Sequence, residues 1–176
     1  MAKLRKASAY RHVERPYTRK SKYREKSYVR ANPHNLVVKY EMGDLTRTFP
    51  FTVRLVSKEA IQLRHNALES ARKSSNRVLE SKLGKTGYRF RIKVFPHHVL
   101  RENPLASGAG ADRMSTGMKM SFGKSIGLAA QVKRGQTIIE IGCEKAGIDV
   151  AKEAAARANH KFACSTNIVV IERAMA

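Results

Sequence analysis

Tyr88-Arg89-Phe90-Arg91-Ile92-Lys93-Val94-Phe95 alternates without a slip. Tyr88, Phe90, Ile92 and Val94 fall on one side of an extended chain and Arg89, Arg91 and Lys93 on the other, the pattern of a strand with one buried face. Like side chains stand about 7 Å apart, twice the rise per residue, so the outward row is a ladder of cations spaced to follow a line of phosphates. Pro96 stops the pattern.

Upstream, Phe49 to Ser57 alternates Phe51, Val53 and Leu55 against Thr52, Arg54 and Val56, and Asn35 to Met42 reads as a further strand that turns at Gly43-Asp44. Ser57 is placed to cap a helix. From Lys58 to Leu83, the residues Ile61, Leu68, Ala71, Val78, Leu79 and Leu83 form one stripe, with Arg64, Arg72, Lys73, Arg77 and Lys82 off it. Gly84 and Gly87 end that helix. Downstream, Gly127 to Val132, Thr137 to Cys143 and Thr166 to Glu172 read as strands, the first two joined by the turn Lys133-Arg134-Gly135-Gln136. Asp149 is expected to cap a second helix that buries Val150, Ala151, Ala154, Ala155 and Ala158. The expected fold is α+β, a mixed or antiparallel sheet with two helices.

Two segments have no apolar periodicity. Residues 1–34 contain eleven Lys or Arg and four of the six Tyr, with almost no aliphatic residues. Guanidinium and ammonium groups neutralise phosphates and Tyr rings stack on unpaired bases, so this basic arm has the chemistry of a segment that orders on RNA. Its expected RNA-binding residues are Lys3, Arg5, Lys6, Arg11, Arg15, Tyr17, Arg19, Lys20, Lys22, Tyr23 and Arg24, joined by Arg89, Arg91 and Lys93 of the strand. The second segment, Arg101 to Gly127, holds four basic residues, three Met and five Gly. So long an irregular insert in a compact domain is usually functional. It reads as a basic loop carried by a single domain over residues 35–176.

The charge bounds the partner. Lys and Arg number 35 against 14 Asp and Glu, a formal net charge of +21. A chain so charged repels itself and seeks a polyanion. No apolar run approaches the ~18 residues of a membrane span, and the N-terminus has no apolar core of a signal peptide, so an intracellular, membrane-free protein is expected. Cys143 and Cys164 each sit in an apolar run and are expected as free thiols.

Catalytic signatures fail on spacing. Gly108-Ala109-Gly110 begins like a dinucleotide fingerprint, but Arg113 stands where the third Gly belongs. Gly123-Lys124-Ser125 ends like a P-loop, yet Met118 occupies the position of the first Gly. His97-His98 has no carboxylate or thiol at zinc-ligand spacing. Asp112 and Glu102 sit beside Arg113 and Arg101, which makes local ion pairs of them. No enzyme, no cofactor and no metal are expected.

The most specific residues are Arg91-Ile92-Lys93-Val94-Phe95-Pro96-His97-His98-Val99-Leu100-Arg101, then Gly108-Ala109-Gly110-Ala111-Asp112-Arg113-Met114-Ser115-Thr116-Gly117-Met118, then Phe122-Gly123-Lys124. Together they resemble the universal large-subunit ribosomal protein family called L-sixteen in bacteria and L-ten-e in archaea and eukaryotes. The likeness extends over Arg15-Pro16-Tyr17, over Glu69-Ser70-Ala71-Arg72 and through the C-terminal half. It is strongest to the archaeal type. Residues 103–107, Asn-Pro-Leu-Ala-Ser, depart from the eukaryotic form.

The resemblance implies a hammerhead-type α+β fold, and a cytoplasmic protein of the large ribosomal subunit. Its implied partners are large-subunit ribosomal RNA, A-site tRNA and neighbouring ribosomal proteins. It implies that Arg101, Arg113, Met114, Lys119 and Lys124 lie on a loop directed towards tRNA and the peptidyl-transferase region. A non-ribosomal RNA-binding protein and an RNA-modifying enzyme are the alternatives from other classes.

Overall fold

The structure, a computed structural model, describes residues 4–18, 23, 29, 32–102 and 123–172. Its strands are β1 (Glu41–Gly43), β2 (Phe51–Ser57), β3 (Ile61–Arg64), β4 (Tyr88–Ile92), β5 (His98–Glu102), β6 (Lys124–Val132), β7 (Thr137–Cys143) and β8 (Thr166–Glu172). Among the described residues the helices are α1 (His65–Leu83) and α2 (Ile148–Asn159), with a 3-10 turn at Lys145–Gly147 before the second. The strands form a five-stranded sheet, β1-β4-β7-β2-β8, and a three-stranded sheet, β3-β6-β5. Every described pairing is antiparallel, so the fold is α+β with antiparallel sheets.

The alternation in β4 decides the layering. Tyr88, Phe90 and Ile92 are buried and oppose Cys143, Ile141 and Ile139 of β7, which in turn oppose Phe51, Val53 and Leu55 of β2. This apolar face is covered by α1 and α2. The helices meet along small residues: Ala71 and Ser75 of α1 against Ala151, Ala154, Ala155 and Ala158 of α2, all buried. Ser75 Oγ donates to the Ala154 carbonyl at 2.9 Å, so the hydroxyl in this seam is satisfied. The other face of the five-stranded sheet carries Arg54, Arg89, Arg91 and Glu140.

Four elements differ from expectation. Residues 58–64 are not helical: Ile61, Gln62 and Leu63 are all buried in β3, paired with Val132, Gln131 and Ala130 of β6, and α1 starts at His65 with Arg64 as its N-cap. Ser57 ends β2, and its hydroxyl donates to the Glu59 carbonyl at 2.7 Å rather than capping a helix.

Of residues 35–42 only Glu41 and Met42 are in a strand. The preceding backbone is instead held by side chains: the amides of Leu36, Val37 and Val38 donate to His65 Nδ1, Asn35 Oδ1 and Glu69 Oε2. Asp149 lies in the first turn of α2 and makes no cap; Gly147 is the N-cap residue. Its negative charge near a helix N-terminus is favourable all the same. Finally, β5 and β6 extend into the irregular stretch, placing Arg101, Glu102 and 124–127 on paired strands.

Cys143 and Cys164 are free, and burial pushes the Cys143 thiol up to about 11.

Candidate nucleic-acid interface

The outer face of the five-stranded sheet is a charge ladder set by register. Glu41 of β1 opposes Arg91 of β4, Arg91 opposes Glu140 of β7, and Glu140 opposes Arg54 of β2. Arg91 Nε lies 2.6 Å from Glu41 Oε1 and Arg89 Nη2 lies 3.8 Å from Glu41 Oε2. Arg54 and Lys93 share Glu140 at 3.5 and 3.6 Å. Four cations therefore divide two carboxylates, and the excess is positive. Such half-exposed pairs are worth about 0–1 kcal/mol each, so a phosphate can displace a carboxylate at little cost. The Nε atoms of Arg54 and Arg89 are buried with no hydrogen-bond partner among the described residues.

Next to this ladder Gly142 leaves a gap between Thr52 and Arg89, and Phe49 lies in it: a Cβ on Gly142 would stand 3.3 Å from Phe49. Phe49 carries the Arg47 guanidinium 5.4 Å above its ring, and Arg47 also pairs with Glu144. The result is a cleft of about 280 Å³ lined by Arg47, Arg54, Arg89, Arg91 and Lys93, with Thr48 and Thr52 at its wall. Pockets for small organic ligands run from ~300 Å³ upward and are mostly apolar. This cleft is polar, with five cations against the one carboxylate of Glu140 in its lining, which suits backbone phosphate. Arg47 and Arg54 are additions to the residues expected from sequence. Arg54 was legible as the outward residue of an alternating strand; Arg47 lies in no pattern.

The described part of the arm is attached to the body. Gln62 is the hub: its amide N donates to the Arg11 carbonyl at 3.0 Å, and its Nε2 donates to the carbonyls of Tyr10 and His12. Gln131 Nε2 donates to the Glu14 carbonyl and to Gln62 Oε1. Arg64 donates to the carbonyls of Arg5 and Lys6, so this cation fastens the arm rather than facing outward from a helix. Arg5 pairs with Glu102 and Arg11 with Glu59.

Tyr17 is fixed twice on β5. Its amide donates to His98 Nδ1 at 2.7 Å and its carbonyl accepts from Val99 at 3.1 Å. The Arg101 guanidinium stands 3.5 Å from the Tyr17 ring centroid, a cation–π contact that ties the base of the loop to the arm. Burial lowers the His98 pKa, with Arg101 adding to the effect and Glu14 opposing it. Arg15 and Tyr23 are exposed.

Along α1, hydrogen bonds from Arg72 at 2.6 and 2.8 Å hold the Glu69 carboxyl below the usual carboxylate range. Lys82 reaches Glu153 of α2 at 2.6 Å. Lys73 and Arg77 border a shallow groove with Asn76 and Glu80. Lys124, at the start of β6, is exposed and opposes Glu102. Lys3, Arg19, Lys20, Lys22 and Arg24 of the arm, and Arg113, Met114 and Lys119 of the loop, lie outside the described residues.

No three His, Cys, Asp or Glu among the described residues are grouped to hold a metal ion, and no described helix is long and apolar enough to cross a membrane.

Residues 14–169 match the family model described as Ribosomal protein L16p/L10e. Among curated proteins, a large ribosomal subunit protein uL16 of Methanococcus maripaludis is 50% identical over 167 residues, covering 95% of this chain and 94% of the relative. The protein of that name from Methanococcus aeolicus is 49% identical over 168 residues, covering 95% and 94%. That from Archaeoglobus fulgidus is 42% identical over 164 residues, covering 93% and 91%. With a match across most of its length and close relatives of nearly equal extent, the chain belongs to the ribosomal protein L16p/L10e family.

Proposed function

We propose that this protein is a non-catalytic structural constituent of the large ribosomal subunit, cytoplasmic within the ribosome, that binds ribosomal RNA and lines the path of A-site tRNA near the peptidyl-transferase region. Membership of the family supports the ribosomal setting. The observation that carries RNA binding is the outer sheet face, where Arg54, Arg89, Arg91 and Lys93 outnumber Glu41 and Glu140. Lys and Arg release counterions from crowded phosphates, and the antiparallel sheet holds them at fixed spacing. The arm and the loop add contacts in the same chemistry. Neighbouring ribosomal proteins complete the surroundings.

Tagged protein expressed in archaeal cells is expected to sediment with large subunits at moderate salt. Recovery solely in free pools would overturn the reading. Neutralising Arg113, Lys119 and Lys124 together is expected to impair A-site tRNA accommodation or late subunit assembly, scored by tRNA binding to purified ribosomes and by subunit profiles. Normal values for both would remove the loop from the tRNA path.

A further inference from the structure

Beyond Ile92 the chain leaves the sheet but keeps its alternation. Val94, Pro96 and His98 are buried, while Lys93, Phe95 and His97 face out. The outward row that begins with Arg89, Arg91 and Lys93 thus continues with two rings. Phe95 is 48% exposed. It stacks with Tyr40, ring centroids 5.2 Å apart and planes 25° apart, and meets His97 at 4.6 Å with planes tilted 46°. A single exposed apolar side chain is ordinary. Three rings joined through Phe95 at the end of a cation row form a surface of a particular kind.

That surface is held from beneath. Asn35 Nδ2 donates to Tyr40 Oη at 2.7 Å, and the Ile92 amide donates to the Tyr40 carbonyl at 2.8 Å. Buried Pro96 separates Phe95 from His97, and His98 is fastened to Tyr17. The rings are therefore pre-positioned, which limits the ordering entropy lost on binding.

We propose that Phe95, with His97 and Tyr40, is a stacking platform for an unpaired RNA base, whose own backbone is held by Arg91 and Lys93. The proposal rests on the RNA-binding reading above and adds a preference to it. Cations alone bind any phosphate backbone, paired or not. An aromatic face takes a base only when that base is out of its duplex stack. The platform therefore selects a bulge, loop or strand end over a continuous helix, and does so without reading base identity, since every base has a π face.

The test uses the full chain and two probes: large-subunit ribosomal RNA from the same cells, and a fully paired RNA duplex. Phe95→Leu keeps apolar bulk and removes the ring. It is expected to weaken binding to ribosomal RNA by roughly 5- to 150-fold, the range for loss of one stacked base. Its salt dependence and its duplex affinity should match those of the unaltered chain. Arg91→Gln is expected to reduce the salt dependence on both probes. In isolated large subunits, ultraviolet crosslinking should leave a nucleotide adduct on the peptide containing Phe95 and His97.

Phe95→Leu binding ribosomal RNA as tightly as the unaltered chain would overturn the platform. So would an equal loss on both probes, which would assign Phe95 to folding. A crosslink from this peptide to protein instead of RNA would overturn it in favour of a protein neighbour. Failure of the unaltered chain to bind ribosomal RNA at all is a different result, and would bring down the RNA-binding reading itself.

Discussion

Gly43 and Gly135 both adopt positive φ, at 86° and 79°, but their surroundings differ. A Cβ on Gly135 meets nothing within 4 Å, whereas one on Gly43 would stand 2.2 Å from the Tyr88 carbonyl oxygen, which the Asp44 amide already engages at 2.9 Å. Gly135→Ala is expected to cost about 1–2 kcal/mol, the conformational penalty alone. Gly43→Ala adds displacement of packed backbone and is expected to cost at least ~2 kcal/mol more. Chemical denaturation of the two variants measures the gap, and equal costs would refute the steric argument. At His98 the determinant is protonation. Nδ1 accepts the Tyr17 amide and must be unprotonated to do so. Burial lowers the pKa from its ordinary 6.5, so the folded value lies below the unfolded one. The neutral ring's contribution is then complete above the unfolded value and is lost as pH falls through the folded value. Protection of the Tyr17 amide, its exchange relative to the intrinsic rate at the same pH, is expected to fall on acidification through that window, and His98→Phe should show low protection at every pH.

At the scale of elements, alternation was the most legible signal: β4 starts at Tyr88 with the expected face buried, though it ends at Ile92 and not at Phe95, and β7 and β8 stand where the sequence placed strands. Thr137–Cys143 and Thr166–Glu172 match to the residue. Helical spacing misled at Ile61, which lies seven residues before Leu68 and so completed the stripe by coincidence. With Ile61, Gln62 and Leu63 buried together, no periodicity separates a short core strand from a helical turn. The polar member of that trio shows why the strand is needed: Gln62 is buried because the arm supplies partners that a helix surface would not. Gln62→Leu should therefore release the arm with little loss in the core. Limited proteolysis is expected to cut within residues 10–17 well before the body, and unchanged protection there would mean that other contacts dominate. The α1–α2 seam is the opposite case, legible from its alanines yet tolerant of no growth. Ala154→Leu is expected to destabilise by about 1–3 kcal/mol through overpacking.

For the molecule as a whole, the +21 charge announced a polyanion, and the run from Arg91 to Arg101 with the loop motifs after it carried the family resemblance. The three-dimensional grouping was not legible, because it depends on register between strands far apart in sequence. Arg54 and Lys93 share Glu140, and Arg91 stands opposite it, only because β7 lies between β2 and β4, and Arg47 joins them by resting on Phe49 above Gly142. Nor did composition indicate that Glu41 and Glu140 would sit inside the cationic face. Those carboxylates keep like charges from repelling one another in the free protein, and their half-exposed pairs are weak enough to yield to phosphate. Binding to ribosomal RNA should then show the signature of counterion release. Replacing Arg54 and Arg89 by Gln is expected to flatten the plot of log affinity against log salt by about 0.7–0.9 for each phosphate no longer neutralised. Glu140→Gln should strengthen binding at low salt, because Arg54 and Lys93 no longer have that carboxylate as a competitor for phosphate. A slope unmoved by the double Arg variant would mean that the outer sheet face points away from RNA. The arm and loop would then have to carry the binding.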